Sequence, residues 1–384
     1  MPRRYQPIEI RPLAAQPRLR LTDPNGKRED VSLTEVAGDR SLALRKPVLA
    51  LDESGERQFL PEAMPARAAA PAYVARLAGG IVASSPATNR AYLLSSRGEL
   101  AVDSVDASPN VWRRAAKDWE SVAGLDREPA ARGGDVVLLA GQRSGYWHWW
   151  IDILPRLWLL DDIGRAATDP LMVPPLQPGF QRESLDLLGF SSRLERLTPG
   201  LSRFGSVTFT PGITAGGSKF PSRALADYAG WLGTRLRGGE REEPTSPGTR
   251  RLFVSRSGAS SRRVANEAEL APLLAEHEIE IVEPGRMPVR DQVALFSEAR
   301  LVIGPHGAGL TNLLFTQPGT GVVEIFAASA AQDVSNYRVL ASHLGLPYGR
   351  LLATPVETPR AKSPHDLDMR VDPELLAALL AACG

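Results

Sequence analysis

The chain reads as an α/β protein built from two halves, each with helices alternating with strands of a largely parallel sheet, behind a β-rich N-terminal segment. Three observations predict this. Residues 250–352 alternate apolar strand-like runs with segments of helical spacing in a regular order. A buried-strand run, DVVLLAG over 135–141, opens a similar but less regular alternation upstream. Between the two lies GGEREEPTSPGT, residues 238–249, polar, charged and rich in Gly and Pro, as a linker is. The predicted organisation is therefore a β-rich segment over 1–70, a first half over 71–237, a linker over 238–249 and a second half over 250–384.

Within residues 17–60, Asn25-Gly26 sits between RLRLT and DVSLTEV and predicts a hairpin. AMPARAAAPA (63–72) has linker composition, and short strands follow over 73–105. A helix is expected around 112–122, a strand at 135–141, another in PLMVPP (170–175), a helix in RESLDLLGF and a strand in SVTFTPG. Beyond the linker, RLFVSRS, IEIVEPG, LVIGPHG, VVEIF and YGRLL read as strands. NEAELAPLLAEHE, VRDQVALFSEA, TNLLF and SNYRVLASHLG read as the helices between them. That order predicts a Rossmann-like half whose strand ends face a crevice.

Composition narrows the function. The 384 residues carry 45 Lys and Arg against 44 Asp and Glu, a net charge of +1, so no global field favours a nucleic acid. The single cysteine, Cys383, excludes an intramolecular disulfide and a cysteine metal cluster, and fits a reducing compartment. The opening MPRRYQPIEIRP has no signal-peptide core, and no apolar run reaches the roughly 18 residues a membrane span needs. A cytoplasmic location is expected, with peripheral attachment to the inner face of a membrane compatible with it.

Three constellations bear chemistry. RLVIGPHGAGLTNLLF (300–315) reads as strand, glycine turn and amphipathic helix. Such a junction directs unpaired amides and a helix dipole at an anion; His306 adds a donor, and Asn312 is placed to face the same crevice. The plain alternative is a tight turn with a solvated histidine. Gly304, Gly307 and Gly309 fit neither GxGxxG nor the Walker pattern, and no GxSxG elbow supplies a hydrolase nucleophile. YWHWWIDILPRLWLL (146–160) holds four of the seven tryptophans, with His148, Asp152 and Arg156 four residues apart on one helical stripe, which Pro155 should kink or restart as a new helix. Its alternative is a buried helix with a structural Asp152–Arg156 ion pair. RRLFVSRSGASSRRVANEAEL (250–270) places Arg256, Arg262 and Arg263 past a strand end, suited to a diphosphate or carboxylate, or else to solvent.

Together, HWWIDILPRL, SR(x)5RRVANE and GPHGAGLTN followed by VVEIF resemble glycosyltransferase family 61, whose blocks occur in this order. The resemblance implies a GT-B architecture: two Rossmann-like domains facing across a cleft, the first for the acceptor and the second for a nucleotide-sugar donor. It also implies inversion, no bound metal or other cofactor, a glycan or lipid-linked glycan acceptor, and bacterial capsule, exopolysaccharide or lipopolysaccharide assembly. By position, Ser255, Arg256, Arg262 and Asn266 match donor-binding or site-organising residues. His306, Gly307, Gly309 and Asn312 match the diphosphate turn, and Glu324 falls where a ribose is held. Asp152 is the first choice of base and His148 the second, with Arg156 beside them. Asp366-Leu367-Asp368 forms a DxD triplet, expected to be surface rather than a metal site. The competing reading is a non-catalytic nucleotide-sugar or glycan-binding scaffold of the same fold.

Overall fold

The computed structural model describes residues 18–19, 31–37, 49–51, 72–88, 90–101, 104, 118–122, 128–140, 145–162, 168–176, 179–211, 213, 224–236, 247–328, 336–359, 361 and 363–382. They divide into two compact units, Met1–Arg40 with Ala68–Ala224, and Ser41–Arg67 with Leu225–Gly384.

The first unit holds two six-stranded sheets. One is mixed. Leu194–Arg196, Leu171–Val173, Asp135–Leu138 and Ser206–Phe209 run parallel in that order, and Ala72–Ala78 and Val31–Ala37 extend the edge antiparallel. The second sheet is mainly antiparallel, centred on Ile81–Ser84, Ala91–Leu94 and Gly200–Arg203. Every residue of Ile81–Ser84 is buried because the sheet is covered on both faces. Val82 and Leu93 join the cluster with Val136, Leu138, Val207 and Phe209 between the sheets, whereas Ile81, Ala83, Tyr92 and Leu94 pack on Trp119 and Val122. The parallel expectation thus holds for the block of four strands and fails for the antiparallel centre of the second sheet.

The expected hairpin is corrected. Its turn lies outside the described residues, but Arg18–Leu19 pairs with Leu100–Ala101 in one sheet while Val31–Ala37 pairs with Ala72–Ala78 in the other. Leu49–Leu51 joins the second unit, parallel to Tyr348–Val356. The segment 63–71, most of the linker and Cys383 also lie outside the described residues.

The second unit follows the predicted alternation closely. Its parallel sheet runs Ile279–Val282, Arg250–Val254, Ala299–Pro305, Gly321–Ala327, Tyr348–Val356, which in chain order is 2-1-3-4-5. Asp368–Arg370 closes the edge antiparallel to Tyr348–Val356. Period-two alternation splits the buried strands: Phe253, Ile303, Val323 and Ile325 pack on Leu270 and Leu274 of helix Glu267–Glu276 and on Leu376 and Leu379 of helix Pro373–Ala382. Helices Val289–Ser297 and Asn336–Leu344 pack around the segment Ala308–Phe315 that follows the central strand. In this strand order, the chain leaves the first strand in one direction and the third in the other. A crevice therefore opens beyond the carboxyl ends of Arg250–Val254 and Ala299–Pro305.

Candidate functional site

That crevice receives Ser255 and Arg256 from one strand and His306 and Gly307 from the other. Three glycines let the two strands and the following turn approach. A Cβ on Gly304 would lie 2.9 Å from Val254 Cβ, and one on Gly309 would lie 2.7 Å from Val254 Cγ1. These two are packing requirements. A Cβ on Gly307 would instead lie 2.1 Å from Nη1 of Arg256, so this glycine makes room for a guanidinium.

Arg256 is largely buried. Desolvation first, and the neighbouring charge of Arg262 second, lower its pKa to about 10. One amino group donates to Ser261 O at 3.1 Å, while Nε of Arg256 and Nε of Arg262 are both buried without a hydrogen-bond partner among the described residues. Arg262 stands at φ 59°, a left-handed conformation that costs a residue with a Cβ about 1 kcal/mol or more. Two like charges so placed, one on a strained residue, leave donor capacity that an anion can take up.

The loop carrying Arg262 is tied down from the C-terminal segment. Arg263 donates to Asp368 through its backbone N–H at 2.9 Å and through Nε and Nη2 at 2.9 and 2.6 Å. Asn266 pairs with Val371 in both directions, donating to its carbonyl at 2.8 Å and accepting its N–H at 3.0 Å. Two expectations change here. Asp368 is 3 % exposed and is a clamp, not a surface residue, and Asn266 points its amide at the chain rather than at a ligand. Ser255 Oγ donates to Glu267 at 2.6 Å and accepts from Ser257 N–H, so it braces the start of the loop. Burial raises the Glu267 carboxyl, with the charge of Glu283 adding to it against the Ser255 bond.

The turn after the central strand is not an amphipathic α-helix. Ala308–Phe315 is a 3-10 helix, and all six residues Leu310–Phe315 are buried. Asn312 is fully buried and donates to Gln292 Oε1 at 2.9 Å, and Gln292 donates to Met287 O at 2.9 Å, so Asn312 faces the neighbouring helix instead of the crevice. Glu324 is also corrected. The period of its strand turns it inward, where it is 0 % exposed, with one carboxylate oxygen 2.5 Å from His306 Nδ1 and the other accepting from Tyr348 O–H at 2.6 Å. A ribose cannot reach a carboxylate so enclosed.

In the first unit, the aromatic segment forms α-helix Tyr146–His148, π-helix Trp149–Ile153 and α-helix Pro155–Asp162. The widened turn is closed by Leu154 N–H to Trp149 O at 2.9 Å, and a new α-helix opens at Pro155, as expected of a proline. His148 Nδ1 lies 2.7 Å from Asp152 Oδ2, both side chains about one-fifth exposed at 22 % and 19 %. The Asp152–Arg156 ion pair of the alternative reading is not among these contacts: Arg156 donates to the backbone oxygens of Asp152, Ala140 and Pro211 and lies over Phe209. Its work is to satisfy carbonyls at the ends of two parallel strands. The signal that sequence reading missed is therefore pairing: His148 with Asp152, and His306 with Glu324 and Tyr348.

Comparison with known proteins matches residues 146–323 to the family model Glycosyltransferase 61. The chain is 34% identical over 109 residues to the EGF domain-specific O-linked N-acetylglucosamine transferase of Drosophila melanogaster, covering 28% of this chain and 20% of that protein. It is 31% identical over 120 residues to protein O-linked-mannose beta-1,4-N-acetylglucosaminyltransferase 2 of Takifugu rubripes, covering 29% of this chain and 20% of that protein. The chain thus spans about a fifth of the length of these curated relatives. The matched stretch contains the His148–Asp152 pair, both arginines and the His306 turn, and over residues 146–323 the chain is similar to the family Glycosyltransferase 61.

Proposed function

We propose that the protein is a glycosyltransferase that moves a sugar from a nucleoside-diphosphate donor to a glycan hydroxyl. The observation that carries this reading is the Arg256–Arg262 pair, with both Nε atoms buried and unpartnered at the crevice of a 2-1-3-4-5 sheet. A diphosphate carries the charge and the acceptor atoms that such a pair lacks. On this reading the first unit takes the acceptor and the second the donor, as in a GT-B enzyme, and no metal is required.

Departure of the nucleoside diphosphate builds negative charge at the sugar–phosphate bond. Arg256, Arg262 and the amides opening the Ala308–Phe315 helix would stabilise it. The acceptor hydroxyl loses its proton as it attacks C1, and the His148–Asp152 pair supplies the base. Asp152 holds Nδ1 of His148 and stabilises the imidazolium, so His148 Nε2 takes the proton. Attack from the side opposite the leaving group inverts the anomeric centre. The relatives named above come from animals, and the proposed acceptor is accordingly a glycan hydroxyl with no pathway attached.

The test is release of nucleoside diphosphate from a panel of nucleotide sugars, slow alone and stimulated by acceptor glycans. Arg256→Ala should abolish release. A chain that turns over no donor, or an Arg256→Ala variant as active as the wild type, would refute the reading. Near-wild-type transfer by both His148→Ala and Asp152→Asn would refute the base.

A further inference from the structure

His306 is fixed on every side but one. Its ring stacks on Phe326 with centroids 5.2 Å apart and planes 20° apart, and meets Tyr337 at 5.4 Å. Nδ1 is bound to the buried Glu324 carboxylate, whose second oxygen accepts from Tyr348. Nε2 has no partner among the described residues, and the side chain, 14 % exposed, lies next to the Gly307 step against which Arg256 rests. A histidine that only filled space would not need a carboxylate at 0 % exposure behind it.

Charges of both signs surround this ring: the Glu324 carboxylate on Nδ1, and Arg256 and Arg262, which act on its neighbour Tyr337. Arg350 lies over the far ring, 4.3 Å from the Phe326 centroid, and Arg338 acts on the same Tyr348. Burial keeps both tyrosines protonated, so among these groups Glu324 is the anion. A bound diphosphate cancels the arginine charge and leaves Glu324 to decide.

We propose that His306 takes up a proton when the donor binds, charged by Glu324 under the hold of Tyr348, and gives that proton to the departing diphosphate. This rests on the nucleotide-sugar reading above. In the step, the bond from C1 to the β-phosphate oxygen breaks and its electron pair stays on that oxygen. The Nε2 proton passes to the phosphate, leaving a neutral ring that keeps its Nδ1 proton and donates it in the hydrogen bond to Glu324. The acceptor oxygen bonds C1, and its own proton goes to His148. Glu324 is a positioning residue; His306 touches the leaving group.

The experiment is titration calorimetry of UDP, GDP, ADP and CDP into the wild type, His306→Gln and Glu324→Gln at about pH 7.5, in buffers of different ionisation enthalpy. The terminal phosphate of the nucleotide titrates in all three proteins, so the difference between them reads His306. The wild type should take up a larger fraction of a proton per site than His306→Gln, and Glu324→Gln should match His306→Gln. Its affinity should also fall more steeply as pH rises through the histidine range. Equal proton counts in the wild type and His306→Gln would overturn the proposal. With only five histidines, nitrogen NMR of the wild type tests the same point without relying on how Glu324→Gln folds. A His306 ring still neutral with nucleotide bound would overturn it as well. Absence of binding by all four nucleotides sinks the donor reading itself, whereas binding without extra uptake sinks only the role given to His306.

Discussion

Replacing Gly307 by Ala should weaken the donor site and leave the fold intact. Gly307 has φ 165° and ψ 171°, extended backbone open to any residue, so the substitution carries no conformational strain. Its cost is local. The new methyl would stand 2.1 Å from Arg256 Nη1, 2.7 Å from Cζ and 3.1 Å from Nε. The first of these is about 1.4 Å short of the roughly 3.5 Å at which such atoms rest, so the guanidinium must leave its position. A charge-assisted hydrogen bond contributes about 1.5–3 kcal/mol, which converts to a roughly ten- to hundredfold rise in Kd for a nucleoside diphosphate. Calorimetric titration measures the rise, and a thermal melt of the same sample should stay within about 1 °C of the wild type. Gly309→Ala is the contrast, because its methyl meets Val254 in the core and should cost about 1–3 kcal/mol of stability. Unchanged affinity in Gly307→Ala would show that Arg256 is not a ligand, and a collapsed melting temperature would show that the glycine serves architecture.

Two further outcomes follow from the loop between Ser255 and Asn266. Asp368→Ala removes the three bonds from Arg263 and should cost about 2–3 kcal/mol in urea unfolding, with manganese restoring nothing. Full recovery in manganese would mean that the DxD triplet holds metal after all. Glu267→Gln tests the raised carboxyl: in the folded protein Glu267 holds its proton to higher pH than in the unfolded chain, so wild-type stability falls as pH rises from the unfolded value near 4.3 through the folded one. Stability of Glu267→Gln relative to the wild type should therefore improve between about pH 4 and pH 7, and a difference independent of pH would refute the burial argument.

The second unit was legible in the sequence because its information is local. Each parallel strand is covered on both faces, which produces apolar runs such as LVI and VVEIF that stand out from the helical periods between them. The first unit carries an antiparallel sheet whose strands are also covered on both faces, so Ile81–Ser84 reads as one more apolar run, and nothing in it states which strand it will meet. The Asn25-Gly26 signal failed for the same reason. A turn dipeptide specifies local geometry, but the partners of Arg18–Leu19 and Val31–Ala37 are set by strands more than about 30 residues away.

At the site, the sequence shows which residue types are costly to place, and the fold decides what offsets the cost. Arg156, Asp152 and His148 stand four apart in an apolar segment, a spacing that admits either an ion pair at the second step or one at the first. Main-chain carbonyls at Ala140 and Pro211, distant in sequence, draw Arg156 away and leave Asp152 to His148. Glu324 follows the same logic. Strand period fixes which face it takes, but only the adjacent strand shows that Tyr348 stands across from it, and only the strand end shows that His306 does. Residues chosen by motif alone therefore divide into two groups once their partners are known. Asn266 and Asn312 direct their amides at the protein itself. Arg256, Arg262 and His306 keep a buried or enclosed nitrogen with no described partner, and it is this unfilled bonding capacity on which the proposed donor site rests.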